Sequence, residues 1–189
     1  MRQSENEMTE QIFLATEERL MAKEGLHHLS MHKIAKEASI SAGTIYIYFK
    51  SKEELLKEFA HRVFTLFSKE LEKNYDENRP HFEQYRQMWW NIWHHLQNNP
   101  MIVVNMSQYQ SLPDFYEVCT ELESESLWYA FCEKAKKANV LCELPNKVLF
   151  SLSLKSAINL VLDRAFFKTE MKDEMLEQVI VRTWRSIQK

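Results

Sequence analysis

A chain of 189 residues with 45% hydrophobic side chains can bury a sizeable core, enough for one small and one larger unit but not for more than two domains. A net charge of −3 excludes indiscriminate coating of nucleic acid, and three cysteines, Cys119, Cys132 and Cys142, make neither an even disulfide framework nor a C-x-x-C metal pair. Only two glycines occur, Gly25 and Gly43, so hairpin turn chemistry is missing and an all-α fold is expected.

The N-terminus, MRQSENEMTE, is polar and unlike a signal peptide. No stretch approaches 18 uninterrupted apolar residues, so the expected location is the cytoplasm, with no membrane partner.

Residues 30–52, SMHKIAKEASISAGTIYIYFKSK, predict two short helices meeting at a tight turn. Helices that cross steeply need a small residue at the contact and apolar residues at fixed offsets around the turn. Ala35 is the small residue, with Ile34, Ala38, Ile40 and Ile45 at the burying positions and Ser39-Ile40-Ser41 as the turn. Ser30 and Ser41 stand where N-caps belong, their hydroxyls placed to accept from unpaired backbone amides. The second helix would present Ala42, Gly43, Thr44, Tyr46, Ile47 and Tyr48, small residues that permit close backbone approach beside hydroxyls that can reach phosphates or base edges. An ordinary helix corner would share this spacing. Charge favours the nucleic-acid reading: Lys33, Lys36, Lys50 and Lys52 face only Glu37, and Lys50 and Lys52 sit at the start of a further helix whose amides also favour phosphate.

That further helix is expected over 53–74, opened by the capping-box spacing of Ser51-Lys52-Glu53-Glu54 and closed by Asp76-Glu77-Asn78-Arg79-Pro80. Helices follow from about Pro80 to Asn98, from Met101 to Gln110, from Leu112 to Ala138, from Pro145 to Phe167 and from Lys172 to Ile187. The expected division is a helix-turn-helix domain at 1–52, joined by the helix 53–74 to a larger helical domain within 53–189.

The penultimate helix is apolar around much of its circumference, and the last helix adds Met175, Leu176, Val179, Ile180, Trp184 and Ile187. Packing inward on the domain and outward on a symmetry mate would satisfy both faces and give a homodimer through Leu154, Ile158, Val161, Ala165, Val179, Ile180, Trp184 and Ile187. A central helix of a monomeric bundle is the alternative. Between these regions lies an aromatic and methionine-rich set. Trp89, Trp93, Met106, Tyr109, Phe115, Trp128, Asn159 and Phe166 suit either core packing or a large apolar cavity for a small molecule. His94, His95, Tyr109, Lys155, Asn159 and Asp163 are the polar groups that would orient such a ligand, or else face solvent. Adjacent His94 and His95 cannot share a helical face, so no metal site is expected; His28 and His32 suit phosphate contact better than metal. No G-x-S-x-G, H-E-x-x-H or P-loop occurs, so no catalytic residue, enzyme activity or cofactor is expected. An all-helical interaction module or enzyme without DNA binding is the rival class.

The N-terminal third resembles the DNA-binding domain of TetR-type transcriptional regulators. The matching string is Ile12, Ala15, Leu20, Gly25, Ser30, Ile34-Ala35, Ala38, Ser41, Gly43-Thr44, Tyr46, Phe49 and Ser51-Lys52-Glu53-Leu55. The resemblance implies an N-terminal three-helix DNA-binding domain, a larger effector-binding and dimerisation domain, and a double-stranded palindromic operator. It also implies DNA contacts from Thr44, Tyr46, Tyr48 and Lys52, with a Ser30 amide at a phosphate; the DNA-facing set expected here is Ser30, Ser41, Ala42, Gly43, Thr44, Tyr46, Ile47, Tyr48, Lys50 and Lys52. Repression is the commoner mode in that family, with release by a small effector; the apolar set here suggests an apolar or amphiphilic molecule. Ser39 stands where the family usually has Gly, so a left-handed backbone there would cost about 1 kcal/mol. Tyr48 replaces a frequent His.

Overall fold

A computed structural model describes residues 2–21, 25–167 and 170–189. Among the described residues there are eleven α-helices and no β-strand, the only extended pairing being an isolated antiparallel bridge between Leu141 and Gln188. The helices are α1 Arg2–Met21, α2 Met31–Glu37, α3 Ala42–Tyr48, α4 Lys52–Leu71, α5 His81–Asn98, α6 Pro100–Gln110, α7 Phe115–Glu123, α8 Leu127–Lys137, α9 Asn146–Leu152, α10 Lys155–Phe167 and α11 Asp173–Arg185, with a 3-10 turn at Leu26–His28. The all-α class is as expected. The chain forms two compact units, Met1–Phe64 with Val104–Thr120, and Thr65–Val103 with Glu121–Lys189.

In the first unit α1 packs on α2 and α2 on α3. A run of rings binds this unit: Phe13 lies 5.6 Å from Phe49 and 6.0 Å from Phe59, and Phe59 lies 6.1 Å from Tyr109. Arg62 covers Phe13 at 5.8 Å while its guanidinium donates to both carboxylate oxygens of Glu10, so one side chain closes the cluster and pairs its own charge. The Tyr109 hydroxyl donates to Glu17 at 2.7 Å. Burial and then that carboxylate push the phenol pKa well above its usual value, keeping it a donor.

The corner between α2 and α3 is closed by backbone bonds. Ile40 N–H donates to Ala35 O at 2.9 Å and Ser39 N–H to Lys36 O at 3.1 Å, the paired bonds of a Schellman stop, and Ser39 takes the left-handed φ of 54° that this stop needs. Asn139 does the same after α8, at φ 60°. The expected N-caps are present: Ser30 accepts from Lys33 N–H at 3.3 Å and Ser41 from Thr44 N–H at 3.0 Å. At α4 the capping box is displaced by one residue. Ser51 accepts from Glu54 N–H at 3.2 Å, but the Glu54 carboxylate reaches back to Lys50 N–H at 2.6 Å rather than to Ser51.

In the second unit α5 packs on α10 and α11. Tyr85, Met88, Trp89, Ile92, Trp93 and Leu96 are all buried along it. Three of its large polar side chains are paired: Trp89 Nε1 donates to Ser156 Oγ at 2.8 Å, the Tyr85 and Thr183 hydroxyls meet at 2.7 Å, and Asn91 donates to the carbonyls of Leu71 and Lys73. Gln84 donates to the carbonyls of Glu77 and Arg79, so two amides of α5 hold the connection from α4.

Two expected helices are broken. The run 112–138 divides at residues 124–126, where Ser126 accepts from Tyr129 N–H at 3.2 Å and starts α8 as its N-cap. The run 145–167 divides at Ser153, whose buried hydroxyl donates to Leu149 O at 2.5 Å while its backbone leaves helical geometry at φ −129°, ψ −92°. Helix α4 ends at Leu71 rather than 74.

Glu177 on α11 accepts three bonds from Arg86, through Nε and Nη2, and one from Trp90 Nε1 at 2.8 Å, and the Arg86 bonds hold its carboxyl below the ordinary range. Because the folded pKa lies below the unfolded one, this group stabilises the fold above the ordinary carboxylate pKa, and the contribution is lost as pH falls through the depressed folded value. In acid titrations followed by circular dichroism, Glu177→Gln is expected to lose less stability than wild type from about pH 5 downward. Superimposable acid limbs would remove the pair from the stability of this unit.

Candidate functional site

Helix α3 is anchored on one side and bare on the other. Ile45 is fully buried, while Tyr46 is 47% and Ile47 79% exposed, and Gly43 is exposed beside them. The 3.6-residue period places Gly43 and Ile47 on one stripe, four residues apart. Ala42, Thr44 and Tyr48 are half-buried along the flanks. The Ser41 and Thr44 hydroxyls lie 2.7 Å apart, so the cap that starts the helix also fixes the Thr44 side chain. Ser30 and Lys52 are half-buried and Ser41 and Lys50 exposed, all within the first unit.

One electrostatic feature has no short-range signal in sequence. Glu37, the single acid among residues 30–52, pairs with Arg19 of α1 at 2.6 Å. Its charge is thereby offset, and the field of Lys33, Lys36, Lys50 and Lys52 is not offset by an unpaired carboxylate from their own segment.

Gly43 is not required by the fold. Its φ is not left-handed, and a Cβ built on it would meet only Ser41 Oγ, at the ordinary contact distance of 3.8 Å. Gly25 differs: its φ of 65° is one that side chains disfavour.

The residues expected around a small-molecule pocket fall in both units. Met106, Tyr109 and Phe115 belong to the first, with Tyr109 buried against Phe59; Trp89, Trp93, Trp128 and Asn159 belong to the second. Trp89 and Trp93 stack at 5.7 Å with their planes 16° apart, both buried, and Trp128 stacks on Phe131 at 5.6 Å with its Nε1 donating to Asn146 O. Asn159 is exposed. Phe166 lies outside the residues whose side chains are described, as does Ala165. His94 is exposed and stacks on Trp90 at 5.1 Å; His95 lies 3.4 Å from Glu70, and burial pulls its pKa down. Among the described residues no group of His, Cys, Asp and Glu could hold a metal ion, and no helix is long and apolar enough to cross a membrane.

Of the residues expected at a dimer face, Leu154, Val161, Ile180, Trp184 and Ile187 are buried within their own protomer, and Ile158 and Val179 are half-buried. Among the described residues of these helices the most exposed large apolar side chains are Val148 and Leu152 of α9 and Met175 of α11, with Leu144 just before α9.

The family model "Bacterial regulatory proteins, tetR family" matches residues 13–59, and "Tetracyclin repressor-like, C-terminal domain" matches residues 80–188. An uncharacterized HTH-type transcriptional regulator of Haemophilus influenzae is 56% identical over 189 residues, covering 100% of both chains. The crystal structure of a TetR-family transcriptional regulator from the same species superposes with a TM-score of 0.90 at 56% identity, covering 99% of this chain and 100% of that one. The transcriptional regulator FadR of Bacillus subtilis, solved in complex with stearoyl-CoA, shares the fold at a TM-score of 0.69 and 20% identity, covering 94% of this chain and 98% of that one.

If Gly43 serves no need of the fold, Gly43→Ala is expected to leave thermal stability unchanged or to raise it by up to about 1 kcal/mol through better helix propensity. A lower melting temperature would mean that the glycine serves packing after all.

Proposed function

Because the chain belongs to the TetR family of DNA-binding transcriptional regulators, we propose that it acts in the cytoplasm as a homodimeric repressor of a palindromic operator, released by a small apolar or amphiphilic effector. The observation that carries the DNA contact is the bare face of α3, with Tyr46 and Ile47 exposed beside Gly43 and Lys50 and Lys52 following. Tyr46, Thr44 and Tyr48 bring hydroxyls to phosphates or base edges, and the lysines neutralise phosphates. Ser30, Ser41 and Ala42 are the backbone approach points at the starts of the two short helices.

A short probe helix with a few lysines binds weakly alone, so affinity depends on two copies engaging half-sites about 34 Å apart in successive major grooves. The second copy comes from self-association of α9 to α11, whose exposed Val148, Leu152 and Met175 extend the apolar surface expected from Ile158 and Val179. Residues 1–52 then serve as the reading head and 53–189 as the effector and dimer part, with residues 53–74 as the covalent connection. The effector favours a conformer with the wrong half-site spacing. Its seat is the tryptophan-rich interior of the second unit. Trp89 and Trp93 are stacked and buried, so a guest must part them. A long amphiphile is the guest we assign to it, and the stearoyl-CoA complex of FadR is a regulator of this fold holding one.

Gel shift with DNA from the protein's own upstream region is expected to show salt-sensitive binding by the purified protein, and none at micromolar protein would defeat the regulator reading. Lys52→Ala should weaken binding and lower the slope of log affinity against log salt by about 1, with the melting temperature unchanged; an unaltered slope would move the phosphate contact elsewhere. The effector arm is tested by titrating stearoyl-CoA while following tryptophan fluorescence, with and without operator. Linkage requires operator to weaken the ligand by the same factor by which ligand weakens operator. Equal ligand affinities in both titrations would leave the tryptophan interior without a regulatory role.

A further inference from the structure

Two features of α3 are unexplained by the protein itself. Among the described residues Ile47 is the most exposed of the large hydrophobic side chains, at 79%, and none of them covers it. One turn earlier on the same stripe stands Gly43, at a position with room for a methyl group that its backbone would accept. A glycine within a helix costs stability and an exposed isoleucine gains none from burial, so neither is accounted for by the folded chain alone. Together they describe a surface with a recess and an aliphatic knob four residues apart.

We propose that Ile47 is a specificity residue for thymine: its side chain packs on the 5-methyl group of one thymine in each half-site, and Gly43 lets the helix backbone sit deep enough in the major groove for that contact. The inference rests on α3 being the DNA probe. The major groove offers one apolar feature, the thymine methyl, and an aliphatic side chain without donor or acceptor can discriminate a base edge only through it. The neighbours fit this division of labour. Thr44 is held by Ser41, and Tyr46 and Tyr48 carry hydroxyls, so polar contacts have their own residues and Ile47 is the aliphatic one on the bare face.

The test uses the full-length protein. An operator is first selected from random duplex DNA, and each thymine in it is then replaced singly by deoxyuridine, which removes the methyl group and leaves pairing intact. Binding is measured at low salt, where phosphate contacts keep weakened complexes measurable. Wild type should lose about four-fold per half-site at one symmetry-related thymine, the worth of one buried methyl group, and little elsewhere. Ile47→Ala should bind that thymine and uracil equally, while Ile47→Val keeps part of the preference; Gly43→Ala should weaken binding and shrink the same discrimination. Melting temperatures of the variants confirm folding. A uracil penalty that persists in Ile47→Ala, or no thymine position sensitive to its methyl, overturns the assignment while leaving DNA binding intact. Failure to select any operator overturns the DNA-probe reading and this inference with it.

Discussion

Seven-residue helices do not persist in water on their own, so the α2–α3 pair depends on the corner between them. That corner is made from few parts. Ala35 and Ala38 are small and buried, Ile34 and Ile45 bury a side chain from each helix, and the chain reverses through a left-handed Ser39 closed by two backbone bonds. Ser41 then accepts from Thr44 N–H and starts the next helix. Once the corner is set, Ile45 faces inward and Ile47 must face out, because the helical period leaves no other choice. The exposed reading surface is thus a product of the buried one.

The second unit solves a different problem. Its central helix α5 is lined with large aromatics carrying polar atoms, and burying these atoms unpaired would cost more than the rings gain. The indole of Trp89 reaches Ser156, the phenol of Tyr85 reaches Thr183, and the indole of Trp90 shares Glu177 with Arg86. These bonds join α5 to α10 and α11 at defined heights, giving a core fixed in register as well as in composition.

Much of this was legible in the sequence where the signal is local. The two serine caps and the buried Ile34, Ala35, Ala38 and Ile45 depend on neighbours within a few residues, and the structure has them as expected, whereas Ile40 is only half-buried. Breaks set by longer-range needs were not legible. Ser126 does carry a capping signal, a serine ahead of an apolar run, but it lies inside a continuous apolar periodicity that masks it. Ser153 carries none, since its deviation is tied to a hydroxyl bond made only once the residue is buried. Hydrophobicity around a whole helix likewise says that both faces are covered without saying by what: Leu154, Ile180 and Ile187 prove to be covered by their own protomer. The Arg19–Glu37 pair, which clears the basic segment of its one acid, joins residues too far apart for any motif to reveal.

The amides of Asn91 and Gln84 give the connection between α4 and α5 an unusual status. Four carbonyls, of Leu71, Lys73, Glu77 and Arg79, are claimed by two side chains on the helix that follows. A surface connection normally tolerates insertions, because water replaces whatever contacts are lost. Here the number of residues between Leu71 and His81 is itself part of the structure. One residue more or less would slide the carbonyls past fixed amides and leave the buried Asn91 Nδ2 without its acceptors. Chain length at this point is therefore as constrained as residue identity, and a sequence that drifts in the exposed side chains of 72–80 can keep the fold while one that changes their count cannot.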